Sequence, residues 1–315
     1  MDAAQFSRFL DRLGPDHLSK RLYLQTLHTA VKFGARGLHV YIENFDAVAP
    51  YLKALLKISG LWGRAVRNST NYEVVEHTVP LARLPRAFHG FRILHLSDLH
   101  IEGIVDQGQQ LRAVLSTLDY DLCVFTGDFR FLTYGDYHHT LAHMAELVKA
   151  IHCPEGMIGI LGNHDFLEMV PGLEALGIRM LLNESTALSR GGDTLWVVGV
   201  DDTHWYEGDD LDRALKGIPP DAPKILLAHS PELIPEAASA QIDYYLSGHS
   251  HGGQLCLPGG IPLKTGSWCA RRFVKGAWES GTVKGYTSRG VGCSLLPVRL
   301  FCHPEIVIHT LQCQD

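Results

Sequence analysis

The chain predicts a layered α/β fold preceded by a helical extension over residues 1–68. Three observations carry this expectation. From about residue 91 to residue 247, short apolar runs alternate with stretches of helical periodicity. Nearly every apolar run ends in strongly polar residues: Asp98, Asp128, Asn163, Asp201, His229 and His249. That is the carboxyl-end position where open α/β sheets build their sites. The first 68 residues show helical spacing and no strand pattern.

In the extension, Phe6, Phe9, Leu10 and Leu13 recur at helical spacing, and Gly14-Pro15-Asp16 breaks the pattern. Leu18, Leu22, Leu24, Leu27, Val31 and Phe33 predict a second helix. A third is expected from Asp46 to Ser59, with Val48, Leu52, Leu55, Leu56 and Ile58 on its apolar side and Gly60 as the stop. Bases are frequent here: Arg8, Arg12, Lys20, Arg21, Lys32, Arg36, Lys53, Lys57, Arg64 and Arg67. Two readings stay open. Basic amphipathic helices can lie on an anionic membrane, or the extension packs on its own core or on a second subunit.

The remainder, residues 69–315, reads as one catalytic domain. An entry strand is expected at 72–79, then strands at 91–96, 121–125, 156–161, 179–182, 195–200, 224–228 and 242–246. Helices are expected at 107–118, 140–151 and 170–176. Beyond Gln254 glycine and proline are dense, so strands there are expected to be short.

Composition narrows the class. The chain is 46% hydrophobic and 20% charged, which suits a globular protein with a sizeable core. A net charge of −6 disfavours a general nucleic-acid binder. The seven cysteines are scattered, without a Cys-x-x-Cys pair. They read as reduced thiols rather than a disulfide framework or zinc knuckle. With no apolar run of about 18 residues and no signal peptide, a cytoplasmic location is expected.

Five polar segments stand in order behind apolar runs: Ser97-Asp98-Leu99-His100, Thr126-Gly127-Asp128, Leu161-Gly162-Asn163-His164-Asp165, Ala228-His229-Ser230 and Ser247-Gly248-His249-Ser250-His251. Each alone is a weak signal. Together they resemble the calcineurin-like metallophosphoesterase superfamily over roughly residues 90–255. The resemblance implies a four-layer α/β/β/α sandwich and two divalent metals, manganese first, with iron, zinc, cobalt or nickel accepting similar ligands. It implies Asp98, His100 and His251 on one ion, Asn163, His229 and His249 on the other, and Asp128 bridging both with its two oxygens. Attack on phosphorus would come from metal-activated hydroxide. His164 would assist at the phosphoryl oxygen or leaving group, and Asp165 would orient its imidazole.

Many family members carry an acidic or hydroxyl residue just after Gly-Asp, whereas here the run is Asp128-Phe129-Arg130-Phe131. Arg130 can reach a substrate phosphate or pin a carboxylate. Asp201-Asp202-Thr203-His204 reads as a polar loop. Gly252-Gly253-Gln254, Thr287-Ser288-Arg289-Gly290 and Leu296-Pro297-Val298-Arg299 resemble a bacterial branch that includes UDP-2,3-diacylglucosamine pyrophosphatases. That likeness implies a lipid-linked phosphoester substrate and peripheral contact with the inner face of the membrane. Arg271, Arg272 and Arg289, interleaved with Trp268, Phe273, Trp278 and Tyr286, are candidate substrate contacts. The alternatives are a broad phosphodiesterase or phosphatase, and a non-catalytic scaffold. No nucleic-acid partner is expected, and the oligomeric state is not legible.

Overall fold

The computed structural model describes residues 1–28, 30 and 47–314. The expected helical positions Val31, Phe33 and Asp46, with the bases Lys32 and Arg36, lie outside the described residues.

Two six-stranded sheets form the body. The strands of the first are β1 (Glu73–Leu81), β2 (Arg92–Leu96), β3 (Leu122–Phe125), β4 (Met157–Gly159), β5 (Ile178–Met180) and β14 (Glu305–Cys313). Their order is β1-β14-β2-β3-β4-β5, with only the β14–β2 pair antiparallel. The second sheet holds β6 (Glu184–Arg190), β7 (Asp193–Gly199), β8 (Lys224–Leu227), β9 (Tyr244–Ser247), β12 (Gly276–Ser280) and β13 (Val283–Thr287), in the order β12-β13-β9-β8-β7-β6. There β13, β9, β8 and β7 run parallel, and the outer strands close antiparallel hairpins. A two-stranded hairpin, β10 (Cys256–Leu257) and β11 (Ile261–Pro262), stands apart.

The sheets face each other across an apolar layer that includes Ile93, Val124, Ile158, Val197, Ile225, Leu246 and Val307. The outer face of the first sheet is covered by α5 (Gln109–Leu115), α6 (His138–Val148) and α7 (Val170–Ala175). Beside the second lie α8 (Leu211–Ala214) and α9 (Ile234–Ser239). Strands buried on both faces read as near-continuous apolar runs, as Ile93-Leu94 and Ile225-Leu226-Leu227 do. The expected four-layer α/β/β/α arrangement is present.

Two expectations change. The closing segment is not confined to short strands: Glu305–Cys313 is a nine-residue strand between β1 and β2. Its β-branched run Ile306-Val307-Ile308 is buried on both sides, an environment that outweighs the preceding glycine-rich loops. The β6 strand and the helices α8 and α9, unread in the sequence, complete the second half.

The extension forms α1 (Ala3–Leu13), α2 (Pro15–Leu27), α3 (Val48–Ile58) and α4 (Trp62–Asn68). Asp2 and Gln5 build a capping box at α1, and Pro15 starts α2. Phe9, Leu13 and Leu18 join the same core cluster as Leu94 and Leu96, while Phe6 and Leu10 stay exposed. Three of the extension's bases are tied to the body, Lys20 by donating to Glu207 O at 2.6 Å. Arg12 pairs with Glu174 and Glu184 at 2.9 and 2.8 Å, and buried Arg21 meets buried Asp201 at 3.1 Å. Packing on its own core accounts for α1 and α2. The α3–α4 pair goes elsewhere, with Leu56 and Ala65 against Val298 and Leu300.

Candidate metal centre

All five motif segments converge at the carboxyl ends of β2, β3, β4, β8 and β9. Backbone hydrogen bonds lock the loops together: Asp98 N–H donates to Gly127 O, His100 N–H to Asp128 O, and Gly248 N–H to His229 O. Asp98, His100, Asp128, His249 and His251 all adopt positive φ. Each such residue costs on the order of 1–2 kcal/mol, and strain of this kind clusters where the surroundings over-determine a site. Two glycines make the approach possible. A Cβ on Gly248 would sit 1.8 Å from Ser97 Oγ and 2.3 Å from Asp98 Oδ2. One on Gly162 would sit 2.3 Å from Asp128 Oδ1 and 2.8 Å from His229 Nδ1.

The donors form two clusters. In one, His100 Nε2 lies 3.2 Å from His251 Nε2, and His251 Nε2 lies 3.5 Å from Asp98 Oδ1. In the other, Asn163 Oδ1 is 3.0 Å from His229 Nε2 and 2.9 Å from His249 Nδ1. Asp128 stands between them: its Oδ2 is 3.7 Å from His100 Nε2 and 3.2 Å from His229 Nε2. Its Oδ1 accepts the His164 backbone N–H at 2.8 Å. A single oxygen, Oδ2, faces both sides.

These spacings fit metal ions. Two ligand atoms each about 2.1 Å from one ion stand about 3 Å apart. The backs of the rings agree. His100 Nδ1 and His229 Nδ1 donate to the carbonyls of Arg130 and Thr126, which leaves Nε2 as the nitrogen facing inward. Groups of three or more donors suited to an ion are Asp98-His100-His251, His100-Asp128-His164 and Asp128-His229-His249. Burial alone would raise Asp128, yet His229, His164 and His100 hold its carboxylate well below the usual range. Burial lowers His229 and Asp128 raises it, the balance standing well above an ordinary imidazole. Burial pushes His249 and His251 well down, helped by His204 and His229 beside the first and by His100 and Arg299 beside the second. Metal binding would release the His229 proton.

His164 lies against this centre, its Nε2 3.9 Å from Asp128 Oδ2. Burial lowers its imidazole to about 4. The expected partner, Asp165, makes no hydrogen bond to the ring among the described contacts. The carbonyl of Phe131 takes Nδ1–H at 2.9 Å instead. Asp165 accepts four backbone N–H groups, from Asp128, Phe129, Arg130 and Gly162, at 2.8–3.2 Å. Burial and Asp128 push Asp165 up toward about 7, but with both oxygens accepting donors the carboxylate form is the one held. It fastens the Asp128 loop to the Asn163 loop.

The four arginines proposed as substrate contacts are not on the cavity. Arg130 is fully buried, donates to the carbonyls of Tyr134 and Gly135, and lies 4.1 Å over the Phe166 ring. Arg289 is held by Glu305 and Glu73 at 2.6 and 2.7 Å. Arg271 and Arg272 are exposed, Arg272 over the Phe273 ring and in a separate hollow with Thr203 and Trp268. Of the basic closing segment, Lys264 reaches the cavity lining.

Sequence reasoning missed three parts of the site. Arg299, fully buried, donates to the carbonyls of His251, Arg289, Gly290 and Gly292 and so backs the His-x-His turn. His204, read as part of a polar loop, lines the cavity 4.2 Å from the His249 ring and pairs with Glu232 at 2.8 Å. The third is the wall. A cavity of about 420 Å³ opens over Asp128, Asn163 and His164, and Val48, Tyr51, Leu52 and Leu55 of α3, with Leu263 and Leu295, make one side apolar. The helical period of α3 was legible, but its direction was not.

Residues 91–253 match a family described as calcineurin-like phosphoesterase. The uncharacterized metallophosphoesterase YkuE of Bacillus subtilis is 30% identical over 249 residues, covering 76% of this chain and 85% of that protein. The phosphodiesterase YaeI of Escherichia coli is 29% identical over 252 residues, with 75% and 87% covered. A transmembrane protein with metallophosphoesterase domain from Bos taurus is 29% identical over 288 residues; the match takes in 84% of this chain and 62% of that protein, less than two thirds of its length. Among the described residues, no helix is long and apolar enough to cross a membrane. The chain belongs to the calcineurin-like phosphoesterase family, a metal-dependent phosphoester hydrolase by descent and by the chemistry of its buried donors.

Proposed function

We propose that the protein hydrolyses a phosphodiester or pyrophosphate bond in a lipid-linked substrate, with two divalent ions held by the seven donors. The observation that carries the reaction is Asp128 Oδ2 facing His100 and His229 at once. Asp98, His100 and His251 would hold one ion, Asn163, His229 and His249 the other, with Asp128 common to both. Bound ions supply Lewis acidity, lowering the pKa of water and offsetting phosphoryl charge.

The chain's own residues do the rest. Phe131 O fixes the His164 ring through Nδ1–H, so Nε2 is aimed by geometry rather than by a carboxylate. In the neutral ring Nε2 is an acceptor; a proton taken up there is the one passed to the leaving oxygen. Asp165 and Arg299 keep the loops in register.

The apolar side of the cavity supports the lipid-linked part of this reading, since Tyr51, Leu52 and Leu55 suit an acyl chain better than a soluble phosphate. UDP-2,3-diacylglucosamine, cleaved to UMP and a lipid monophosphate, is the substrate we favour. A broad phosphodiesterase on soluble substrates is the second reading, supported by likeness to a protein named as a phosphodiesterase. Turnover of bis-p-nitrophenyl phosphate with manganese, in wild type and in His100→Ala and Asn163→Ala, tests the reaction. Activity indifferent to both changes sinks it. Comparison of UDP-2,3-diacylglucosamine with a cyclic nucleotide separates the two substrates; preference for the nucleotide removes the lipid.

A further inference from the structure

We propose that the cavity mouth docks on an anionic phospholipid bilayer through α3 and the β10–β11 hairpin. The inference rests on the lipid-linked reading and names the surface from which such a substrate would come.

The first observation is that α3 is apolar on two faces. Leu52 and Leu56, one helical turn apart, turn inward toward Leu255, Val298 and Leu300. Tyr51, Leu55 and Ile58, at i, i+4 and i+7, form a second stripe that the other described residues leave open: Ile58 is 85% exposed and Tyr51 67%. The hairpin adds Leu257, Ile261 and Leu263, the last 61% exposed. Leu55 and Leu263 line the same cavity, so the two apolar segments flank one opening. A patch of this kind beside a site marks an interaction surface.

The second observation identifies the partner. Residues 47–68 contain Lys53, Lys57, Arg64 and Arg67 and no Asp or Glu. Residues 255–275 contain Lys264, Arg271, Arg272 and Lys275 and again no acid. In a chain of net charge −6, these two acid-free basic segments each supply part of the cavity lining, Tyr51 and Leu55 from the first and Leu263 and Lys264 from the second. Apolar side chains among bases suit an interface whose headgroups are anionic and whose interior is hydrocarbon. Lys53 and Lys57 can lay their stems on the apolar face while their ammonium groups reach headgroups. Bound this way, the opening over Asp128 and His164 faces the layer in which acyl chains lie, and the substrate need not leave it.

The test is flotation of the full-length protein with vesicles of phosphatidylcholine alone and of phosphatidylcholine mixed with phosphatidylglycerol, at low and high salt. Binding is expected to the mixed vesicles, weakened by salt. The double variant Ile58→Asp, Leu257→Asp alters two exposed side chains off the cavity lining. It is expected to lose at least about tenfold in vesicle binding and to keep wild-type turnover of bis-p-nitrophenyl phosphate. The proposal is overturned by wild type that does not float, by a variant that floats equally well, or by light scattering showing a dimer that the variant dissolves. Vesicle binding is read without turnover and soluble turnover without vesicles, so failure of the docking and failure of the phosphoesterase reading are seen separately.

Discussion

Nε2 of His100 lies 3.2 Å from Nε2 of His251, two buried imidazole nitrogens brought together from positions 151 residues apart in the chain. A cation between them is the economical reason for that approach. Dialysis against a chelator is expected to abolish phosphodiesterase turnover, and added manganese to restore it. His100→Ala is expected to lower kcat/KM at least about a hundredfold, since even partners one shell out change activity 10–100-fold. Metal content by mass spectrometry should fall in parallel. A variant with full metal content and full activity would falsify the assignment.

Gly248 has no room for a side chain, because a Cβ would meet Ser97 and Asp98. Gly248→Ala is expected to cost on the order of 1–3 kcal/mol by overpacking and to displace His249 from Asn163. Chemical denaturation measures the first effect and metal affinity the second. Unchanged affinity would mean the turn relaxes without moving the imidazoles.

Asp165 holds four backbone N–H groups, and a carboxamide cannot accept with its nitrogen. Asp165→Asn is expected to lose about 1–3 kcal/mol of stability and to weaken metal binding through the Asp128 loop. Because Phe131 O rather than Asp165 holds His164, the acid limb of the pH–rate profile should stay where it is. A shifted limb would restore the orienting role expected from the sequence.

Arg21 and Asp201 are both fully buried. Burial alone would raise Asp201, but Arg21 and His17 hold its carboxyl down at about 2. Arg21→Ala strands a buried charge and is expected to cost about 3–5 kcal/mol, visible as a lower Tm. If Tm does not move, the extension is dispensable to the body.

Between the sheets, His95 bonds His309 and Thr126, and burial lowers His95 to about 3 and His309 well down. The native state refuses protons that the unfolded chain takes up below the ordinary pKa of about 6.5. Stability is therefore full above that pH and falls as pH drops from there toward about 3. The slope is up to about 1.4 kcal/mol per pH unit for each such group. Metal-free His229, shifted the other way, is stabilising throughout that window and adds no slope. Urea titrations at neutral and mildly acid pH should show the loss, and His95→Gln should flatten it.

The layered fold and the donor set were legible for one physical reason. Strands buried on both faces must be apolar, and the residues that end them are free to be polar. Ser97-Asp98-Leu99-His100 and Ser247-Gly248-His249-Ser250-His251 therefore stand out against Ile93-Leu94 and Tyr244-Tyr245-Leu246. What a strand-end polar residue touches is not encoded locally. Asp165 and His164 are neighbours in sequence, yet one faces backbone N–H groups and the other the cavity. Arg130, Arg289 and Arg299 look alike in a sequence; tertiary packing gave the first a ring and carbonyls, the second two carboxylates, and the third the back of a turn. Likewise, periodicity alone determined that α3 is amphipathic. Only the folded chain decided that one apolar stripe would be buried against Val298 and Leu300 while the other would be left exposed at the mouth of the site. Periodicity sets which side chains share a face, and the direction of that face is set by contacts more than two hundred residues away.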